Sequence, residues 1–315
     1  MLNILLLFDL YLYMVYNKKQ ADSKKIKKRK VRKIMKVKIL SDSTCDLSPE
    51  LIKKYDIDII PLFVTIDDVA KKDGIEVSPE DIYQYVDKAG KLPFTSAVNI
   101  TDYTDIFMAW VEKGYSVVHF NIGSGFSSTH NNARLVAEDF DNVYVVDSAN
   151  LSTGQGHLVL HGAEMAAEGH SAKEIYESCM ELAGKVEASF VVDRIDYLYK
   201  GGRCSALAAL GANLLNLKPC IEVIDGKMLP GKKYRGKISK VMLNYVTDKL
   251  KDRDDIDLNR IFITHTKCAP EDVEAVRQKI TELQPGFKEI LETTAGCTVT
   301  THCGPGTLGV LFIRK

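Results

Sequence analysis

The chain has 315 residues, no formal net charge, 45% apolar and 27% charged residues, the make-up of a soluble globular protein long enough for two cores. The zero charge is an average: residues 1–34 hold ten Lys/Arg against two Asp, which leaves 32 basic and 40 acidic residues to the rest. An acidic body argues against a large nucleic-acid surface, and seven scattered cysteines with no Cys-x-x-Cys argue against a disulfide framework or a zinc site.

The apolar run Leu2–Tyr16 is about 15 residues, short of the ~20 that a membrane-spanning helix needs, and its basic residues follow rather than precede it, unlike a secretory signal. Two readings stay open: a short N-terminal anchor, or an upstream extension with the natural start at Met35. Met35-Lys36-Val37 leads straight into the first strand, which favours the extension. Either way residues 1–34 stand apart from the fold, membrane contact is transient at most, and the reduced cysteines point to the cytoplasm.

From Val37 onward apolar runs alternate with helical patterns, which predicts an α/β protein with a largely parallel sheet. Val37–Leu40 reads as a strand. Ser48-Pro49-Glu50 starts a helix: the serine caps, the proline suits the first turn, and the glutamate complements the dipole. Ile57–Ile66 reads as a second strand, and the same start signal recurs at Ser78-Pro79-Glu80. A helix over Asp102–Lys113, a buried strand over Ser116–Ile122 and a helix from about Ser128 follow. Next come a strand at Val143–Val146 and a helix after Thr153.

The pattern changes near Gly169–Ser189. Ser189–Val192 is read as a strand, followed by a short helix, the Gly201-Gly202 break and an apolar helix over Ala206–Asn213. Cys220–Ile224 and Lys227–Leu229 flank Asp225-Gly226, a strong two-residue hairpin signal that makes this second sheet mixed. Helices at Lys237–Leu250 and Pro270–Leu283 and strands at Arg260–Thr264 and Leu308–Ile313 complete the chain.

Ligands of open parallel sheets sit beyond the carboxyl ends of the strands. There the sequence offers Ser41-Asp42-Ser43-Thr44, Ser124-Gly125-Phe126-Ser127-Ser128-Thr129 and Asp147-Ser148, with Thr95-Ser96 from a loop. All are rich in hydroxyls and poor in Lys or Arg. No P-loop is present, and neither Gly123-Ser124-Gly125 nor Gly154-Gln155-Gly156 completes a dinucleotide fingerprint. Several hydroxyls and a helix N-terminus suit a single carboxylate. His302, ahead of Gly304-Pro305-Gly306, is either a structural histidine in a glycine-rich turn or part of that network. Arg203, after two glycines, either caps a helix or reaches an anion. Cys297 and Cys303 beside His302 lack a second ligand pair, so no metal or cofactor is expected.

These segments together resemble the DegV family of bacterial fatty-acid-binding proteins. The matching residues are Ser41–Asp46, Thr95-Ser96, Ser124–Thr129, Gly201-Gly202-Arg203-Cys204-Ser205, Leu215–Pro219 and His302–Gly309, in this order across Val37–Ile313. The resemblance implies two domains akin to the substrate-binding half of dihydroxyacetone kinases. Residues 36–180 would form a parallel three-layer α/β/α domain and residues 181–315 a mixed-sheet α/β domain.

It implies a long-chain fatty acid whose carboxylate is held by Thr95 and Ser127, with His302 in the network; from the hydroxyl-rich segments Ser96, Ser124 and Ser43 are expected to bind the ligand as well. It implies contact of Arg203 with a separate ATP-dependent fatty acid kinase, which makes an acyl phosphate for phospholipid synthesis. The protein itself would then be a carrier and not an enzyme. The sequence departs from the family at Val98, at Phe126 and Ser128, and at Cys204; Phe126 bears on acyl-chain preference. The competing reading is a serine hydrolase or acyltransferase using Ser124 or Ser127 with His302, against which stands the lack of a Gly-x-Ser-x-Gly elbow.

Overall fold

The computed structural model describes residues 35–206 and 217–315. The N-terminal extension, most of the expected Ala206–Asn213 helix and the start of the Leu215–Pro219 motif lie outside the described residues. Residues Lys36–Lys315 form one compact unit.

Strands β1 (Val37–Asp42) and β6 (Ser116–Asn121) are buried almost throughout. They read as continuous apolar runs because both faces of their sheet are covered. With β2 (Asp58–Ile60) and β7 (Val143–Asp147) they form a four-stranded parallel sheet of order β2-β1-β6-β7. On one face Leu40, Val117 and Val145 pack with Tyr103, Phe107 and Ala133 of helices α3 (Ile100–Glu112) and α4 (Thr129–Ala137). On the other, Ile39, Val118, Phe120 and Val146 meet Leu158 and Val159 of α5 (Thr153–Ala167) and Ile175 of α6 (Ala172–Ala183). Alternate strand residues thus face opposite helical layers.

Helix α5 is buried nearly all round, because the same core continues into Ala188, Phe262 and Leu311 of a second sheet. That sheet has six strands in the order β10-β9-β8-β13-β11-β12. They are β8 (Val186–Val191), β9 (Lys218–Ile224), β10 (Lys227–Tyr234), β11 (Ile256–Thr266), β12 (Glu289–Thr294) and β13 (Thr307–Arg314). All neighbours are antiparallel except β11 and β12. Helices α8 (Ile238–Leu250) and α9 (Pro270–Leu283) cover its far face through Val241, Tyr245, Val276 and Ile280. The mixed sheet and its Asp225-Gly226 hairpin are as expected, with both turn residues at positive φ.

The helix-start signals act as predicted. Ser48 accepts from the Leu51 amide ahead of α1 (Pro49–Lys54), and Ser78 forms a full capping box with Asp81 ahead of α2 (Pro79–Ala89). Three expectations need correction. Ile57–Ile66 is not one strand: Pro61 offers no N–H to a ladder, and the chain leaves the parallel sheet after Ile60. It re-forms as β3 (Phe63–Ile66) between β4 (Val69–Lys72) and β5 (Phe94–Ser96) in a separate antiparallel sheet. Thr95-Ser96 therefore sits on a strand, not in a loop. His302 lies in the last turn of a short helix, α10 (Cys297–Cys303), and the glycine-rich turn begins only at Gly304, with φ 71°. The sequence reading also missed β4, β12 and α6 as elements.

Candidate functional site

The loop after β6 is fixed by two close backbone approaches. A Cβ on Gly123 would stand 2.9 Å from the Asn150 amide nitrogen, and one on Gly125 would stand 2.3 Å from the Gly226 carbonyl oxygen of the β9–β10 turn. Only glycine fits between these backbones. The loop is also tied from below, where the Ile122 amide donates to Asp42 Oδ2 (2.9 Å). Ser127 is thereby held at the start of α4, where its Oγ accepts from the Thr129 amide (3.2 Å). The Ser127 hydroxyl proton is left free to donate elsewhere.

Across from Ser127, Thr95 Oγ1 lies 2.8 Å from His302 Nε2. His302 is largely buried, and among the described residues its Nδ1 has no hydrogen-bond partner. The ring rests on Gly201, the last residue of α7 (Ile195–Gly201), where a Cβ would come within 2.5 Å of Nδ1. Burial first, and the Arg203 charge second, push the imidazole down to about 4, so it is neutral at pH 7. In the tautomer with Nε2–H donating to Thr95 Oγ1, the threonine hydroxyl can donate onward to an anion; in the other, Thr95 donates to Nε2 and its oxygen faces outward only as an acceptor. Arg203 Nη1 donates to the Gly201 carbonyl (2.8 Å), which anchors an exposed guanidinium beside this pair.

These groups surround a cavity of about 260 Å³. It is lined on one side by Thr95, Ser96, Ser127, Ser128, Arg203 and His302 and elsewhere chiefly by Leu62, Ile122, Phe126, Leu151, Met228, Val299 and Cys303, with Thr298 among them. Most of the walls belong to one apolar cluster that continues through Phe190, Val192 and Leu198. A second void of about 30 Å³ lies beyond, sharing Leu151, Val299 and Cys303 with the first. The inner void is lined by Thr264, Thr266 and Thr307, whose hydroxyls are bonded to Thr153 and Thr293, to Gly304 and to Cys303 respectively. A polar side against an apolar interior is the layout of a site for an amphiphile with one anionic end.

Of the residues singled out from the sequence, the fold brings Thr95, Ser96, Ser127, His302 and Arg203 together around this cavity. It does not bring Ser124 or Ser43 to the wall. Ser124 is exposed, and its amide donates to Asp147 Oδ1 (3.0 Å). Ser43 donates to Asp73 Oδ2 (3.1 Å) and accepts from the Leu62 amide (3.1 Å). The other hydroxyls of that loop turn inward as well. Thr44 Oγ1 and Gln155 Nε2 donate to Asp42, a buried carboxylate whose pKa burial raises against those hydrogen bonds. What sequence reasoning missed is the apolar wall. Leu62 and Leu151 come from two connecting segments, Met228 from a strand and Val299 from a helix, and each looks like an ordinary core residue by itself. Among the described residues no group of three or more His, Cys, Asp or Glu could hold a metal ion, and no helix is long and apolar enough to cross a membrane.

Known proteins share this architecture. A fatty-acid-binding protein of Thermotoga maritima is 33% identical over 286 residues, covering 87% of this chain and 96% of that one. A fatty-acid-binding DegV family protein of Thermus thermophilus superposes with a TM-score of 0.79 at 28% identity, covering 89% of this chain and all of the other. A stearic-acid-binding protein of Eubacterium ventriosum does so with a TM-score of 0.73 at 29% identity, over 89% and 98%. The model of an uncharacterised protein family, DegV, matches residues 36–315, and with it the chain from Lys36 to Lys315 belongs to the DegV family.

Proposed function

We propose that this protein binds one long-chain fatty acid, with the carboxylate at the Thr95–His302 pair and the chain in the apolar cavity. The observation that carries this is a neutral His302 bonded to Thr95 at the polar edge of a chamber walled mainly by apolar side chains. Thr95 and Ser127 donate to the carboxylate, His302 orients Thr95, and Arg203 offsets the charge at that edge. A chain of about 14 methylenes gains up to roughly 11 kcal/mol of gross transfer energy, reduced by ordering costs. The outer cavity is near the lower limit of ~300 Å³ for small-molecule sites. A long chain therefore needs Leu151, Val299 and Cys303 to give way, because the void beyond them is only about 30 Å³. The lining of the outer cavity comes from both halves of the chain, 36–180 and 181–315, which we read as two domains.

The carboxylate end faces outward in this reading, so a second protein can act on it. A cytoplasmic ATP-dependent fatty acid kinase, contacting Arg203, would convert the bound acid to an acyl phosphate for phospholipid synthesis. The fatty-acid-binding relatives, a stearic-acid-binding protein among them, support the ligand class. The hydrolase reading has less support. His302 Nε2 is engaged by Thr95 rather than by Ser124 or Ser127, and among the described residues its Nδ1 has no orienting carboxylate, which an acyl-transfer base requires.

Mass spectrometry of the purified protein, first native and then after organic extraction, tests the proposal. A stoichiometric non-covalent fatty acid is expected. A protein that is empty and takes up no added palmitate or oleate would overturn it. Covalent labelling of Ser127 by a fluorophosphonate would instead favour the hydrolase.

A further inference from the structure

Helix α10 carries His302 at its end and lends Val299 and Cys303 to the cavity wall. Its own sequence gives it little reason to form: Thr298-Val299-Thr300-Thr301 is a β-branched run with low helix propensity, and seven residues are too few for a stable isolated helix. What holds it is at its root. Gly296 N donates to Asp46 Oδ1 (2.8 Å), Cys297 N to Asp73 Oδ1 (2.9 Å) and Thr298 N to Asp73 Oδ2 (3.0 Å).

Both carboxylates come from the far end of the chain, and both are buried. Among the described residues neither is paired with a basic side chain. Asp46 sits at φ 49° just after β1 and also accepts from Ser152 Oγ (2.5 Å). Asp73 also accepts from Ser43 Oγ, and its amide donates to the carbonyl of Leu62, a cavity wall residue. The arrangement is mutual. The first amides of a helix need acceptors, and two buried carboxyl groups, that of Asp46 pushed up to about 8 by burial, need hydrogen-bond donors.

We propose that Asp46 and Asp73, with Ser43 bracing Asp73, are positioning residues of the carboxylate site. They fix the root of α10 against the N-terminal half, and the helix, about 10 Å long, holds the His302 ring in register with Thr95. This assigns Ser43 a role at the clamp instead of at the ligand. The link to ligand retention rests on the fatty-acid reading above; the link to His302 does not.

The experiment uses the full chain with ¹⁵N-labelled histidine rings, His302 signals being assigned from the His302→Asn variant. Asp73→Asn, Ser43→Ala and Val276→Ala are compared with wild type, the last as a control for stability alone, since Val276 is buried under the opposite face of the mixed sheet. Asp73→Asn and Ser43→Ala are expected to shift the His302 Nε2 signal. Asp73→Asn should also release ¹³C-carboxyl palmitate about ten-fold faster, the weight of one hydrogen bond. Val276→Ala should lower Tm and leave the signal in place. If Asp73→Asn does not fold, Ser43→Ala decides. His302 signals that coincide with wild type in every folded clamp variant would overturn the proposal, as would an equal shift in Val276→Ala. A wild type that binds no palmitate, while Ser43→Ala still moves His302, would sink the ligand reading and leave the clamp standing.

Discussion

Replacing Thr95 with valine isolates one hydroxyl. Valine keeps the shape and the β-branching that suit β5, so the strand should still pair with β3. What disappears is the 2.8 Å bond to His302 Nε2. Because Nδ1 already has no partner among the described residues, the variant leaves a buried imidazole with neither ring nitrogen bonded to them. An unsatisfied buried polar group costs about 1–3 kcal/mol. For a body of this size about 2 kcal/mol corresponds to a Tm lower by about 4–8 °C. The ligand should suffer more than the fold. A hydrogen bond to a carboxylate contributes about 1.5–3 kcal/mol, so fatty-acid affinity should fall about ten- to hundred-fold. Calorimetry of the delipidated protein gives the first quantity and displacement of a fluorescent fatty acid the second. Ser96→Ala is the internal control, because Ser96 is an exposed neighbour on the same strand and should change stability by less than about 0.5 kcal/mol. A Thr95→Val protein with wild-type Tm and wild-type affinity would refute the reasoning.

Four further outcomes follow from the same geometry. Ser127→Ala should weaken fatty-acid binding about ten-fold or more while Ser124→Ala leaves it unchanged, as read by titration, since only Ser127 lines the cavity. Gly201→Ala puts a methyl 2.5 Å from His302 Nδ1 at a backbone conformation that alanine accepts; displacement of the ring should cost about 1–3 kcal/mol in chemical denaturation and reduce affinity. Val299→Phe fills the partition between the outer and inner voids, so the purified variant should yield less than stoichiometric fatty acid on extraction. The pH dependence has a definite sign. His302 is depressed from 6.5 to about 4, chiefly by burial, so below pH 6.5 the unfolded chain takes up a proton that the folded one refuses. Its contribution is fully present above pH 6.5 and is lost as pH falls towards 4, at about 1.4 kcal/mol per unit. His302→Asn should remove that slope, and parallel stability–pH curves for variant and wild type would show that folding does not depress the ring's pKa.

The capped helix starts at Ser48 and Ser78, the Asp225-Gly226 hairpin and the buried strands β1 and β6 were legible in the sequence, because each is decided by neighbours within a few residues. The polar residues around the cavity were legible in part: Thr95, Ser96, Ser127, Arg203 and His302, all named from the sequence, line it, and Ser43 and Ser124 do not. Pro61 was legible too, but its effect on Ile57–Ile66 was not drawn from it. Tertiary structure alone decided the rest. Whether a serine faces ligand or protein depends on what stands opposite, and Asp73, thirty residues on, is what turns Ser43 away from the cavity. The apolar walls come from Leu62, Leu151, Met228 and Val299, which no local pattern joins. Helix α10 is the sharpest case. Its β-branched residues favour strand, and only the buried carboxylates of Asp46 and Asp73, more than 220 residues earlier, supply the acceptors that make it a helix and place His302 at the polar side of the cavity.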